Sequence, residues 1–230
     1  MSDLGLLTSD GAASATLLLV PLGATEQHGP HLALATDTII AKRWADAVAM
    51  QLNQSGVRAL VAPPLPYGSS GEHQMFPGTL SIGHQALELL LIELIRSAGN
   101  TFDRVALLSG HAGNVEPVTA AVTQMVVEGH DVRCFFPTWD RQEGWSIDAH
   151  AGRTETALML HLEPDQVLLD RIAPGDTRPL SDIMPTLIAD GVAAVSPSGV
   201  LGDPTDADAE EGQKLFAELV DRTTAQLLSR

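Results

Sequence analysis

Residues Pro21–Asp37 read Pro-Leu-Gly-Ala-Thr-Glu-Gln-His-Gly-Pro-His-Leu-Ala-Leu-Ala-Thr-Asp. The stretch follows a short apolar run and precedes a helical pattern that begins at Thr38. The pattern therefore predicts a strand, then a loop that carries Glu26 and His28, and then a helix that begins near Asp37. A strand followed directly by a helix is typical of an α/β fold.

The same loop carries side chains that bind metal ions. Carboxylates and imidazoles without thiolates are a donor set for hard or borderline divalent ions. Glu26 and His28 are two positions apart, so in an extended loop they point the same way. Asp37 lies further along the chain and approaches from a second direction. A lone Glu-x-His pair is more typical of a solvated loop, so the metal interpretation depends on matching residues elsewhere.

Composition limits the classes of protein and partner. The chain has 230 residues, of which 44% are hydrophobic, and we expect a single domain over residues 1–230. Its net charge of −16 opposes binding to nucleic acid or to anionic membranes. The single cysteine, Cys134, excludes an intrachain disulfide. No apolar run approaches the roughly 20 residues of a membrane span, and no basic leader is present, so we expect a cytoplasmic protein.

Strand-length apolar runs alternate with amphipathic helical patterns along the chain. The predicted strands are Ala15–Leu22, Val57–Ala62, Arg104–Ser109, Asp131–Phe136 and a last strand at Val192–Ser196. The predicted helices are Thr38–Gln54, Gly83–Ala98, a helix ending at Val127, one from His150 to about Leu162, one around Leu180–Ala189, and Asp208–Leu228. This alternation predicts a mostly parallel sheet with helices on both faces.

Polar loops follow each of the first four predicted strands. Glu26 follows the first strand, residues 68–73 the second, His111 the third, and His150 and Glu155 the fourth. Ligands of parallel sheets bind beyond the carboxyl ends of the strands. We therefore expect these side chains to meet at one edge of the sheet.

Each of these residues also has a simpler interpretation. His111 lies in a glycine-rich turn and could serve only as a helix cap. Glu155 falls in the first turn of a predicted helix, where a carboxylate favours the helix dipole. Ser69, Ser70 and Ser109 lie in the same loops, but the chain lacks the Gly-x-Ser-x-Gly motif, which disfavours a serine nucleophile.

Several residues of these loops are candidates for contact with substrate. The loop around residues 68–73 is rich in glycine, and the loop before His150 contains two tryptophans that could form a pocket wall. The substrate-binding candidates are Ser70, Glu72, His73, Asn114, Trp139 and Trp145.

The order of these motifs resembles the signature of the creatininase family of metal-dependent amidohydrolases. The matching segments are Glu26–His31, Thr36–Asp37, Glu72–His73, Phe76–Thr79, Gly110–Asn114 and His150–Glu155. The resemblance covers most of the chain, and its separate motifs occur in the right order. The resemblance implies a three-layer α/β/α sandwich with two divalent ions per chain, assembled as a homo-oligomer, often a hexamer. The ions are expected to be Zn²⁺ or Fe²⁺, and Mn²⁺ is also compatible.

The resemblance also assigns ligands. The family's metal ligands correspond here to Glu26, His28, Asp37 and His111, with Asp37 as the bridging carboxylate. Creatinine-hydrolysing members carry a further glutamate ligand two residues after the histidine that matches His111. Here that position is Gly113, and Glu155 is the expected replacement. This departure disfavours creatinine as the substrate.

The implied chemistry is hydrolysis of an amide bond by a metal-bridging hydroxide. His150 is the candidate catalytic residue that protonates the leaving nitrogen, unless it only supports a ligand. Within the family, Gly68–Ile82, His150–Leu162 and Val192–Gly212 resemble most closely the peptidase subgroup of mycofactocin biosynthesis. That subgroup implies release of a modified Val-Tyr dipeptide from the C-terminus of a small precursor peptide.

Two alternatives remain at this point. One is a creatinine-type cyclic amide or formamide hydrolase of the same family, which would act on small lactams. The other is a non-catalytic metal-binding scaffold, which would keep its role without Glu26 and Asp37. A peptidase differs from both because it needs a cavity open enough for a peptide tail.

Overall fold

The computed structural model describes residues 2–138 and 148–229. The strands are β1 (Leu17–Leu22), β2 (Ala59–Val61), β3 (Arg104–Ser109) and β4 (Asp131–Phe135). The helices are α1 (Ser9–Ala12), α2 (Thr36–Gln54), α3 (Gly83–Ala98), α4 (Val115–Val127), α5 (Arg153–Leu162), α6 (Leu180–Asp190), α7 (Val192–Val195) and α8 (Ala209–Leu228). Trp139 and Trp145 lie outside the described residues.

The four strands form one parallel sheet in the order β2-β1-β3-β4. Strand β1 pairs with β2 on one side and with β3 on the other, so Leu17 lies beside both Ala59 and Arg104. Strand β4 continues the sheet beyond β3. The prediction of an α/β fold with a parallel sheet is confirmed. The chain reverses its direction of travel across the sheet between β1 and β3, which makes this pair the topological switch point.

Alternate residues of β1 enter two separate cores. Leu18 and Val20 pack in a cluster with buried residues of α3 and α4. Leu17 and Leu19 pack on the opposite face, in a cluster with buried residues of α2 and α8. The sheet is therefore buried on both faces, which explains why its strands read as continuous apolar runs.

Helix α5 packs beside α2 and α8 and forms a third cluster with them. Its close approach to α8 occurs at Gly212, where a β-carbon would overlap the backbone carbonyl of Ala157. This packing fixes the position of the first turn of α5, which carries Glu155.

The predicted strand at Val192–Ser196 is wrong, because Val192–Val195 form the short helix α7. Val192 and Val195 are three residues apart and lie on the same side of a helical turn, where both pack against Ile183 and Leu201. A short apolar run does not by itself distinguish a strand from a buried helical turn. The other predicted elements are present, although β2 is only three residues long.

Two glycines bring the beginning of α2 against the switch point. A β-carbon at Gly23, after β1, would overlap the backbone of Thr38. A β-carbon at Gly110, after β3, would lie 2.6 Å from the backbone oxygen of Asp37. The absence of side chains here lets the first turn of α2 enter the crevice between the ends of β1 and β3.

No helix within the described ranges is both long and apolar enough to cross a membrane.

Trp44 ties α2 to α8 and offers a test of this packing. Its side chain is fully buried, and its Nε1 donates a hydrogen bond to Thr223 Oγ1 at 3.1 Å. We expect Trp44→Ala to lower the free energy of unfolding by about 3–5 kcal/mol, because it leaves a large cavity. Urea denaturation measures the change. Met50→Ala on the same helix is the control, since Met50 is 57% exposed; equal losses in both variants would contradict the packing described.

Candidate metal centre

The beginning of α2 places Asp37 between two histidines from different loops. Asp37 Oδ1 lies 3.0 Å from His28 Nε2, and Asp37 Oδ2 lies 3.4 Å from His111 Nδ1. His28 comes from the loop after β1 and His111 from the loop after β3. One carboxylate therefore bridges the two sides of the switch point.

Two further carboxylates complete the cluster. Glu26 Oε1 lies 3.2 Å from His111 Nδ1, and Glu155 Oε2 lies 3.9 Å from His28 Nε2. The backbone turns sharply before Glu155, because Ala151 has a left-handed φ of 50°. That turn lets the Ala151 amide donate a hydrogen bond to Glu155 Oε2 at 2.6 Å. The five residues that the resemblance assigns as ligands thus lie together.

Backbone carbonyls orient both histidines. His28 Nδ1 donates to the backbone oxygen of Glu26 at 3.1 Å, and His111 Nε2 donates to the backbone oxygen of Ser69 at 3.0 Å. Because a carbonyl oxygen only accepts, the other nitrogen of each ring is the one turned toward the carboxylates. This is the arrangement of metal-binding histidines, which hold one nitrogen by hydrogen bond and bind metal with the other.

Two more histidine rings stack beside this cluster. His150 lies between His28 and His73, with ring centroids 4.3 Å from each. His150 Nδ1 is 3.7 Å from Glu26 Oε1, and His73 Nε2 is 3.6 Å from the same oxygen. Glu26 is therefore surrounded by imidazole nitrogens.

The buried carboxylate oxygens lack ordinary partners. Glu26 is fully buried and Asp37 nearly so. Both Glu26 oxygens and Asp37 Oδ2 accept no hydrogen bond within the part of the chain that the structure describes. Buried anionic oxygens without donors are costly unless a cation compensates them.

The mutual charges of the cluster shift the pKa values of its histidines and carboxylates away from their ordinary values. Burial opposes the charged form of His28, but Asp37, Glu155 and Glu26 together outweigh it and raise the pKa of His28 to about 10. Burial likewise opposes charge on His111, but Glu26, Asp37 and Glu72 together outweigh it and raise the pKa of His111 to about 9. Burial raises the pKa of Asp37 to about 6, with help from the charge of Glu26. For Glu26, burial is outweighed by the nearby imidazoles, and its pKa falls well below its usual range.

The pKa values of His73 and His150 are shifted in the opposite direction from those of His28 and His111. Burial lowers the pKa of His73 to about 3 and that of His150 to about 4, in each case assisted by the charge of a neighbouring histidine. Both rings are therefore neutral near pH 7, whereas His28 and His111 carry protons when no metal is bound. In the metal-free protein, the protons on His28 and His111 therefore occupy the positions that divalent ions would take.

The described residues form three overlapping groups that could hold a metal ion, with ligand atoms within 4.8 Å of one another in each. The groups are Glu26–Asp37–His111, His28–His150–Glu155 and Glu26–His73–His150. Closely spaced sites of this kind suit a pair of divalent ions.

A cavity of about 1390 Å³ opens onto this cluster. Among the predicted substrate-binding residues, Glu72 and His73 line it, together with His150 and Glu155. Glu72 Oε1 lies 3.8 Å from His111 Nε2 and is about one third exposed. Glu72 and His73 are thus placed to contact a bound molecule.

Ser70 and Asn114 lie behind the cavity wall. Ser70 is buried, and its Oγ is 3.3 Å from His111 Nε2. The Asn114 side chain accepts from the Ser69 amide at 2.9 Å and donates to the Gly23 carbonyl at 3.1 Å. These contacts connect the loops after three strands, so the described role of Asn114 is to hold the loops together. The predicted contacts of Trp139 and Trp145 fall outside the described residues.

Sequence analysis missed two features of the site. Gln27 lies between two ligand candidates, and it contacts both His73 and His150. Its position within the Glu-Gln-His motif was the available signal. The second feature is an apolar cavity wall formed by Leu180, Met184, Leu187 and Ile188 of α6. The spacing of these residues was visible, but nothing in it distinguishes a cavity wall from a core face.

The sequence is similar to known peptidases and amidohydrolases. It is 50% identical over 224 residues to the mycofactocin precursor peptide peptidase of Mycolicibacterium smegmatis, covering 95% of this chain and 87% of that protein. It is 32% identical over 233 residues to the creatinine amidohydrolase of Pseudomonas putida, covering 89% of this chain and 86% of that protein.

The structure is similar to solved creatininases. A tryptophan-to-phenylalanine mutant of creatininase aligns with a TM-score of 0.83 at 28% identity, covering 99% of this chain and 98% of that one. Two further creatininases, one of a zinc–zinc type and one with manganese, align with TM-scores of 0.80 and 0.81 at 27% identity. Each alignment covers 98% of this chain, and 96% and 97% of the respective neighbour.

The profile of the creatininase family, described as creatinine amidohydrolase, matches residues 8–227. That match spans nearly the whole sequence, and the fold agrees with it. The chain therefore belongs to the creatininase family of amidohydrolases and is a hydrolase that acts on amide bonds.

Proposed function

We propose that this chain, as a single domain over residues 1–230, is a metal-dependent peptidase. Its substrate is the modified mycofactocin precursor peptide, and its reaction releases the C-terminal Val-Tyr dipeptide. The relative that is 50% identical carries that substrate in its name. The observation that carries the metal dependence is the set of buried Glu26 and Asp37 oxygens that accept no hydrogen bond among the described residues.

The donor set fits two divalent ions. Glu26, Asp37 and His111 would hold one ion, and His28, Asp37 and Glu155 the other, with the two oxygens of Asp37 facing different histidines. Zn²⁺, Fe²⁺ and Mn²⁺ all accept oxygen and imidazole ligands. When bound, such a pair supplies Lewis-acid polarisation of the amide carbonyl and a water of lowered pKa.

His150 is the residue we assign to proton transfer. Its Nε2 is held by the backbone oxygen of Gln27 at 2.7 Å, so its Nδ1 faces Glu26 and the cavity. A neutral Nδ1 there can take a proton from the attacking water and give it to the departing nitrogen. General acid–base catalysis of this kind contributes about 10²–10⁴-fold to rates.

The cavity favours a peptide over a small cyclic amide. Its volume of about 1390 Å³ exceeds the size of ordinary small-molecule sites. Met184 and Ile188 of α6 line it and are 38% and 79% exposed. Apolar side chains at the mouth suit the valine and the aromatic ring of the proposed substrate, because their burial is favourable.

Position 113 also separates this chain from creatinine hydrolysis. A β-carbon at Gly113 would overlap the His111 ring, the Ser69 carbonyl and the Glu72 carboxylate. A glutamate ligand at this position therefore does not fit. Instead, Glu155 Oε2 on α5 lies 3.9 Å from His28 Nε2, which supports our proposal that Glu155 takes the place of that ligand.

We further propose that the protein acts in the cytoplasm as a homo-oligomer, with a hexamer favoured. Its net charge of −16 disfavours nucleic acid as a partner.

The first prediction concerns the reaction. Incubation of the metal-loaded protein with the enzymatically modified precursor peptide is expected to release the C-terminal dipeptide. Mass spectrometry detects the dipeptide and the correspondingly shortened peptide. A chelated sample is the control and is expected to show no cleavage. Intact peptide, with metal content confirmed, would contradict the peptidase assignment; turnover of cyclic amides or formamides instead would support the other hydrolase.

The second prediction concerns Asp37. We expect Asp37→Asn to weaken metal binding by at least about 100-fold, because one carboxylate serves both ions. Elemental analysis after dialysis measures the metal per chain. Asp46→Asn is the matched control on the same helix, since Asp46 pairs with Lys42 away from the site. Wild-type metal content in the Asp37 variant would overturn the ligand assignment.

The third prediction concerns protons. His28 and His111 have metal-free pKa values of about 10 and 9, so both are protonated at pH 7. Metal binding requires the neutral rings and is expected to release one proton from each, so that affinity increases as pH rises toward 9. Titration calorimetry in buffers of different ionisation enthalpy measures the release. Identical heats in all buffers would show that the rings are already neutral.

A further inference from the structure

The side-chain amide of Gln27 has a fixed orientation. Its Oε1 accepts a hydrogen bond from the Gly29 amide at 2.9 Å, and its Nε2 donates to the Gly199 carbonyl at 3.3 Å. A backbone amide only donates and a carbonyl only accepts, so a flipped side chain would oppose both. Gly199 also permits this approach, because a β-carbon there would overlap Gln27 Oε1.

The fixed amide determines where His73 carries its proton. Gln27 Nε2 lies 2.8 Å from His73 Nδ1. Since Gln27 Nε2 is the donor, His73 Nδ1 must accept, and the proton of the neutral ring is on Nε2. That nitrogen faces Glu26 Oε1 at 3.6 Å and Glu72 Oε1 at 3.9 Å. His73 thus presents an N–H group to the cavity.

The backbone carbonyl of the same residue turns the opposite ring nitrogen of His150 toward Glu26. The Gln27 carbonyl oxygen lies 2.7 Å from His150 Nε2. The carbonyl only accepts, so the neutral ring carries its proton on Nε2 and has a free lone pair on Nδ1. This lone pair faces Glu26 Oε1 at 3.7 Å. The two rings are adjacent, with centroids 4.3 Å apart.

We propose that Gln27 is a positioning residue that holds two neighbouring histidines in the same Nε2–H tautomer but turns opposite ring nitrogens toward Glu26 and the cavity. Through its side chain it makes His73 a hydrogen-bond donor toward the reacting amide, and through its backbone it makes His150 an acceptor. In His28, His111 and His150, one ring nitrogen donates a hydrogen bond to a backbone carbonyl. Among these four histidines, only His73 accepts its hydrogen bond from the Gln27 side-chain amide.

A consequence follows for the metal centre. Binding a cation through His73 Nε2 would require removal of the only proton of the neutral ring or reversal of the Gln27 amide. The group Glu26–His73–His150 is therefore not a third metal site, and His73 remains a donor when metal is bound. The tautomer assignment does not depend on which reaction the protein catalyses, whereas the expected effect on turnover rests on the proposed function.

The test begins with the protein alone. Two-bond ¹H–¹⁵N correlation spectra of the ¹⁵N-labelled, metal-free protein distinguish the histidine tautomers, and His73→Asn and His150→Asn assign the signals. We expect both His73 and His150 to be protonated on Nε2 and bare on Nδ1. Because opposite nitrogens face the cavity, His73 presents a hydrogen-bond donor there and His150 presents an acceptor. Zinc, a diamagnetic probe, is expected to leave the His73 Nε2 proton in place. A bare His73 Nε2 in either state overturns the proposal.

The second measurement uses Gln27→Glu. A carboxylate only accepts, so we expect it to move the His73 proton to Nδ1, with metal content unchanged and kcat for peptide cleavage lowered by about 10²-fold at similar KM. Gln166→Glu, an exposed site, is the matched control and is expected to leave kcat unchanged. Gln27→Met removes the donor without adding charge and serves if the first variant does not fold.

The outcomes are separable. Unchanged kcat in a folded Gln27→Glu protein whose His73 tautomer has moved overturns the catalytic role of the donor. Failure of the wild-type protein to cleave the peptide, with the expected spectra, overturns the proposed substrate and leaves the tautomer assignment supported.

Discussion

The site depends on one buried carboxylate at a helix terminus. Asp37 is nearly inaccessible, yet its two oxygens face His28 and His111, which arrive from different strands. The first turn of a helix favours negative charge, because its backbone N–H groups lack partners within the helix. Burial opposes that charge, and the surrounding imidazoles compensate for it. A bound divalent ion would take the place of the protons on these imidazoles, and the carboxylate and imidazole atoms of the candidate groups already lie within 4.8 Å of one another.

The fold supplies the position of that helix terminus. Strands β1 and β3 are neighbours at the switch point, and glycines after both strands let α2 approach their ends. Larger residues at Gly23 or Gly110 would displace Asp37 from the histidines. Helix α5 adds Glu155 from outside the sheet, through its packing on α2 and α8. The candidate ligands thus come from four separate segments that meet at one edge of the sheet.

Much of this was predictable from sequence, and the limits have physical causes. The apolar runs and loop positions predicted a parallel sheet and one polar edge. Continuous apolar runs indicate strands buried on both faces, and their alternation with helical patterns indicates that the strands are parallel. Val192–Val195 was mispredicted, since four apolar residues fit a helical turn as well as a strand. The motif placed Glu26 and His28 together. The role of Gln27 was hidden, because its partners His73 and His150 are distant in sequence and only folding shows which atoms face each other.

The surroundings of position 113 and the apolar face of α6 shape the cavity beside the candidate metal ligands. Position 113 is filled here by the surrounding atoms of His111 and Glu72, so a glutamate side chain does not fit at that position. Glu155 lies on the other side of the cluster, beside His28, and leaves Glu72 at the cavity wall. The apolar face of α6 lies on that cavity, where a longer substrate gains buried area that a small ring cannot reach.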